Sequence, residues 1–112
     1  MKFDNEKRKC TMSRLPKTMK ALVAYGKDEY KLEKEYPVPQ CGEDDIIIKT
    51  EGCGICAGDL KCKHGAAMFW GNEESQPWVK VPFIPGHEFL GRIVEIGKNV
   101  KGFEIGDRIT AD

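Results

Sequence analysis

The apolar segments of this chain are short, and glycine, proline or charge interrupts each of them; no other feature constrains the fold as much. Met19–Tyr25 (MKALVAY) is apolar with few breaks, and Gly26-Lys27-Asp28 follows as a turn. Tyr30–Tyr36 (YKLEKEY) alternates apolar and charged residues, the period of a half-buried strand. Pro37, Pro39 and Gly42 mark a loop before Asp45–Cys53 (DIIIKTEGC), which is β-branched and apolar. Glu88–Ile96 (EFLGRIVEI) and Asp107–Thr110 (DRIT) read as two more strands. Only Asp59–Lys63 suggests a helix, and a short one. Many short strands with frequent turns and no helix-sized repeat predict a small, mostly β barrel or sandwich with one short helix.

The chain has 112 residues, room for one domain with a modest core. Lys plus Arg numbers 18 and Asp plus Glu 18, so the formal charge is zero. That balance argues against nucleic acid as partner, which calls for a basic surface. No apolar run reaches the roughly eighteen residues that cross a bilayer. The amino-terminal stretch is polar, with no secretory pattern, so the expected location is the cytoplasm. Five cysteines without an export signal favour reduced thiols or metal ligands over disulfides. Residues 1–18, with the basic run Lys7-Arg8-Lys9, read as a solvated extension, and residues 19–112 as the folded domain.

Two clusters carry chemistry. The first is Gly52-Cys53-Gly54-Ile55-Cys56-Ala57-Gly58-Asp59; the second is Pro85-Gly86-His87-Glu88-Phe89-Leu90-Gly91. Cys, His and Glu are zinc ligands, and a site with three protein ligands keeps a position for water or substrate. Cys53-Gly54-Ile55-Cys56 also has the spacing of a redox or zinc-knuckle pair, and with Cys62 and His64 it forms a rival four-ligand set. No βαβ pattern of a thiol oxidoreductase accompanies it. Asp59 also suits the cap of the short helix.

The two clusters in this order resemble the zinc-containing medium-chain dehydrogenases: alcohol, sorbitol, threonine and erythritol dehydrogenases. Those enzymes have a Gly-x-Cys-x-x-Asp turn and, after a variable loop, Gly-His-Glu-x-x-Gly. The resemblance runs from about Met19 to Asp112 and implies a GroES-like, partly open β-barrel. It implies that Cys56 and His87 are ligands to a catalytic Zn2+, that Glu88 is either a direct ligand or sits just behind the metal, and that the family's third protein ligand is expected beyond Asp112. Asp59 is expected to orient the His87 ring. Cys53 is expected to be a buried strand-end residue, with Cys10, Cys41 and Cys62 incidental thiols. Asp107 and Arg108 are expected in a buried structural turn. The implied activity is hydride transfer from a secondary alcohol, a polyol such as erythritol, threitol or sorbitol, or L-threonine, to NAD(P). A small-molecule alcohol is the implied partner, and a homo-oligomeric full-length form is compatible with the resemblance.

The sequence departs from the pattern in places. Where many relatives have Ser or Thr two residues after the ligand cysteine, this chain has Gly58. Where several have His five residues after it, this chain has Lys61. The substrate proton then leaves by another route, through water, Glu88 or Lys61, and the change tilts the expected substrate toward polyols. The stretch Lys63–Gly71 resembles erythritol-type dehydrogenases, and the loop through Trp78 and Pro82 to Pro85 is a natural pocket wall or else core filling for Phe69, Trp70 and Trp78. His64 reads as a surface residue. No G-x-G-x-x-G follows a strand, so these residues hold no dinucleotide cradle. The expectation is a catalytic-domain fragment without the NAD(P)-binding Rossmann domain, inactive alone. The alternatives are an inert truncated domain or a small structural zinc module.

Overall fold

The structure, a computed structural model, describes residues 15–111. The readings of Lys7-Arg8-Lys9 and Cys10 fall outside those residues. Five strands and two short helices follow in the order β1 (Thr18–Gly26), β2 (Glu29–Pro37), β3 (Ile46–Gly54), α1 (Ala57–Lys63), α2 (Ala67–Trp70), β4 (Glu88–Ile96) and β5 (Arg108–Thr110). Strands β1 and β2 form an antiparallel hairpin, while β3, β4 and β5 form a separate antiparallel sheet in that order. The two sheets do not close into one barrel, the partly open form of the expected GroES-like fold. No helix of the described residues is long and apolar enough to cross a membrane.

The hairpin turn puts Asp28 at φ 56°, a left-handed conformation that Asp tolerates better than most residues. In β1 the buried side chains are Ala21, Val23 and Ala24. The alternation in β2 predicts that its apolar residues face inward, and at Leu32 they do not: it is paired with Leu22, and both are exposed. An irregularity in which Met19 pairs with Tyr36 but Ala21 with Glu33 shifts the register, so Glu33 is the half-buried residue.

The second sheet is anchored by Ile93, 1% exposed and flanked by the backbone bonds Ile93 N–H to Asp107 O and Gly106 N–H to Ile93 O, both 2.8 Å. Gly91 lets β4 approach β3: a Cβ there would lie 2.3 Å from the Lys49 carbonyl oxygen. The turn at Asp107 and Arg108 is exposed rather than buried. It is held by a Glu104 N–H bond to the Asp107 carboxylate and by Arg108 pairing with Glu51, so polar contacts do the work that burial was expected to do.

Helix α2 goes beyond the single helix expected. Its four residues, AMFW, are too few to show a helical period in the sequence. Phe69 N–H and Trp70 N–H both bond to Ala66 O, at 3.0 and 3.2 Å. The two halves of the structure meet where Ala24 and Phe83 exchange backbone hydrogen bonds, and where Asp28 reaches Lys63 and His64 at the end of α1.

Candidate metal centre and its cavity

Strand β3 ends at Gly54, and Cys56 begins α1 as its N-cap with extended backbone (φ −116°, ψ 173°). Its Sγ accepts the Gly58 N–H at 3.3 Å, and its own N–H donates to Asp59 Oδ2 at 2.9 Å. This is a capping box in which sulfur replaces the usual hydroxyl oxygen. Helix initiation therefore aims the thiol: the bonds that start α1 hold Sγ in place.

Gly86 has φ 111° and ends the preceding loop, so His87 is still in a bend and β4 begins only at Glu88. In a regular strand the His87 and Glu88 side chains would point to opposite faces. The bend lets both approach Cys56. His87 Nε2 lies 3.2 Å from Cys56 Sγ, and ligand atoms of Cys56, His87 and Glu88 all lie within 4.8 Å of one another. Glu88 pairs with Gly54, and a Cβ at Gly54 would lie 2.8 Å from Glu88 Oε2, so the glycine leaves room for the carboxylate. Cys56 is half-buried, whereas His87 and Glu88 are exposed.

The other ring nitrogen, Nδ1, lies 3.3 Å from Asp59 Oδ1. A proton on Nδ1 facing that carboxylate leaves the Nε2 lone pair directed toward Cys56. Asp59 thus reaches both expected partners, the helix N-terminus through Oδ2 and the His87 ring through Oδ1.

The donor set suits zinc. Tetrahedral zinc with Zn–S about 2.3 Å and Zn–N about 2.0 Å separates its ligands by about 3.5 Å. The Cys56–His87 spacing of 3.2 Å is already near that value, and a Glu88 carboxylate oxygen lies within 4.8 Å of both. Neither Cys62 nor His64 joins them. Cys62 is 7% exposed beneath the cavity, and His64 is turned to the surface, its Nδ1 2.7 Å from Asp28 Oδ1. The rival set of Cys53, Cys56, Cys62 and His64 is not assembled among the described residues. Cys53 departs from expectation in another way: it ends a strand as expected but is exposed. A Cβ at Gly86 would lie 2.9 Å from its Sγ, so it faces a residue with no side chain to cover it.

A cavity of about 470 Å³ opens beside the donors. Gly58, Asp59 and His87 line one end, and Phe69, Trp78 and Phe83 line the walls. Phe69 O accepts both Trp78 N–H (2.9 Å) and Val79 N–H (3.0 Å), and the Phe69 and Trp78 rings stand 6.1 Å apart. Phe69 and Trp78 are therefore wall. Trp70 serves the interior, with Nε1 donating to Cys62 O at 2.6 Å and its ring 6.1 Å from Phe83. Lys61 is exposed and does not line the cavity. Beneath it, Tyr30 lies against Cys62, and burial raises its hydroxyl pKa to about 12. Lys80, which the sequence reading passed over, also lines the cavity. Nothing in its local sequence marks it, because only the folded loop brings it there.

Residues 42–112 match the family model described as the alcohol dehydrogenase GroES-like domain. The chain belongs to that family. It is 44% identical over 103 residues to an erythritol/L-threitol dehydrogenase of Mycolicibacterium smegmatis, covering 89% of this chain and 28% of that protein. It is 42% identical over 92 residues to an acryloyl-coenzyme A reductase of Sulfurisphaera tokodaii, covering 81% of this chain and 25% of that protein. The solved structure of 2R,3R-butanediol dehydrogenase from Bacillus subtilis superposes with a TM-score of 0.70 at 30% identity, covering 83% of this chain and 27% of that one. The chain thus spans between a quarter and a third of the length of each.

Proposed function

We propose that this domain supplies the zinc ligands and one wall of the alcohol pocket of a zinc- and NAD(P)-dependent dehydrogenase, acting on a secondary alcohol of a vicinal diol or polyol in the cytoplasm. The observation that carries the proposal is the convergence of Cys56, His87 and Glu88, of which His87 lines the cavity. Two of the relatives act, by name, on compounds with adjacent secondary hydroxyls, which favours a polyol over a simple alcohol. The reductase relative has a different reaction, so it is the metal donors that favour alcohol chemistry here.

Zinc supplies Lewis acidity toward a hydroxyl, and a nicotinamide accepts a hydride. Cys56 and His87 would hold the metal, Glu88 would be a further ligand or sit just behind it, and Asp59 would orient the His87 ring. Gly58 leaves the corner beside the donors open, since a Cβ there would lie 3.3 Å from Cys56 Sγ and 3.8 Å from His87 Cε1. The carbinol carbon and its substituents occupy that corner. The aromatic walls exclude water from it. Because Gly58 has no hydroxyl to accept the substrate proton and Lys61 is turned away, the proton would leave through water, or through Glu88 where that carboxylate is not a metal ligand. The dinucleotide finds no cradle among these residues, for no glycine-rich loop follows a strand, and its site belongs to protein outside them.

Zinc titration of the purified chain against a competing chelator tests the proposal. One zinc per chain is expected, lost on Cys56→Ala or His87→Ala and retained on Cys53→Ala or Cys62→Ala. Undiminished zinc in either of the first two variants overturns it, and loss in the last two favours the structural zinc module. Incubation with NAD(P) and a polyol panel separates an active chain from an inert one: no turnover is expected, and clear turnover sinks the inert reading.

A further inference from the structure

Among the described residues the cavity has one lysine on its wall, Lys80, and the proposed function leaves it unused. Lys80 is exposed and has no ion pair or side-chain hydrogen bond with any of the described residues. Its position is nonetheless defined. Val79 before it bonds to Phe69 O at 3.0 Å, and Phe83 after it exchanges backbone bonds of 2.8 and 3.2 Å with Ala24. The surrounding wall is carbon: Phe69, Trp78, Val79, Phe83, Ile84 and Pro85. The only carboxylate on that wall, Asp59, is engaged by Cys56 N–H and faces His87.

A neutral polyol would find few partners for its further hydroxyls on such a wall, and each one left unpaired on binding is costly. An anion finds a cation with no competing partner, among carbon walls that screen the charge less than open water does. We propose that the cavity takes a secondary alcohol bearing an anionic group, a carboxylate or a phosphate monoester, with the Lys80 ammonium as its counter-ion. The inference rests on the alcohol-binding reading above: the hydroxyl lies beside His87, next to the metal donors, and the anion at Lys80. It narrows the substrate from polyols in general to their acid or phosphate derivatives.

The test uses the metal-free 112-residue chain, so that zinc cannot itself attract the anion, and follows emission from Trp70 and Trp78. Two matched pairs are titrated: 1,3-butanediol with 3-hydroxybutyrate, and erythritol with erythritol 4-phosphate. The anion of at least one pair is expected to bind roughly fivefold more tightly than its neutral partner. The pair with the larger ratio shows whether carboxylate or phosphate is preferred. Lys80→Gln should abolish the preference and Lys80→Arg keep it, and added salt should shrink it. Equal binding within both pairs, a preference that survives Lys80→Gln, or no change in emission with any ligand overturns the proposal. The two inferences fail separately: zinc binding undiminished by Cys56→Ala or His87→Ala defeats the proposed function, whereas zinc held through Cys56 and His87 with no effect of Lys80→Gln defeats only this one.

Discussion

Asp59 serves two neighbours, and replacing it separates the two services. Asparagine keeps an oxygen for the Cys56 N–H but loses the negative charge facing His87 Nδ1. Asp59→Asn should therefore leave the thermal midpoint of the metal-free chain nearly unchanged while weakening zinc binding about 10- to 100-fold. A lowered midpoint with unchanged zinc affinity would make Asp59 a helix cap and nothing more. Gly86 is constrained by its backbone as well as by space. At φ 111°, with a prospective Cβ 2.9 Å from Cys53 Sγ, Gly86→Ala should cost about 1–3 kcal/mol and displace His87. Denaturant unfolding measures the first effect and zinc competition the second; an alanine variant as stable as the parent would refute the steric account.

At the scale of elements, the second sheet carries a row of cations. Lys49, Arg92 and Arg108 are cross-strand partners on β3, β4 and β5, and like charges so placed repel. Glu51 stands beside that row in the irregular step of β3 between Thr50 and Gly52. Its carboxylate meets Arg108 Nε at 2.8 Å and Arg92 Nε at 3.2 Å. The hydrogen bond from Arg108, followed by the charges of both arginines, pulls the Glu51 carboxyl below its ordinary 4.5. A depressed carboxyl stabilises the fold above its unfolded pKa and loses that contribution as pH falls through the folded value. Glu51→Gln should lower the thermal midpoint at pH 7, speed amide exchange in β5, and converge with the parent as pH falls through the lowered Glu51 carboxyl value. Parallel midpoint curves across the acid range would exclude Glu51 as the group responsible. Asp28 follows the same sign: its hydrogen bonds to Lys63 and then His64 hold its carboxyl below 3.8, so the link between the hairpin and α1 loosens in acid.

At the scale of the whole molecule, little apolar surface is hidden. The buried hydrophobic residues are Ala21, Val23, Ala24, Cys62 and Ile93, while Ile55 is 81% exposed, Trp78 76%, Met68 70% and Ile105 62%. The Leu22–Leu32 pair adds to that surface. Where such exposed side chains adjoin one another, as Leu22 and Leu32 do, they form the kind of apolar patch that can take a partner. The purified chain should take up an environment-sensitive hydrophobic dye and associate as its concentration rises. A monodisperse monomer in sedimentation velocity with no dye uptake would contradict this.

Strand positions were legible because they depend on local pattern. Glu88–Ile96 is predicted to the residue, and the other strands to within about one. The glycines and metal donors of both motifs were legible too, since turn chemistry and ligand chemistry reside in residue type. Burial was not: Leu32 was expected inside from the alternation of its strand, and Cys53 and Asp107 from their motifs, and all three are exposed. A residue's depth depends on what packs across from it, which no local period records. The sequence by itself determined the five strands, the family and the candidate donors. Tertiary structure decided that Cys56 and His87 lie 3.2 Å apart across 31 residues of chain, and that Lys80 lines the same cavity as His87, because both follow from how the loop after α2 returns over the helix.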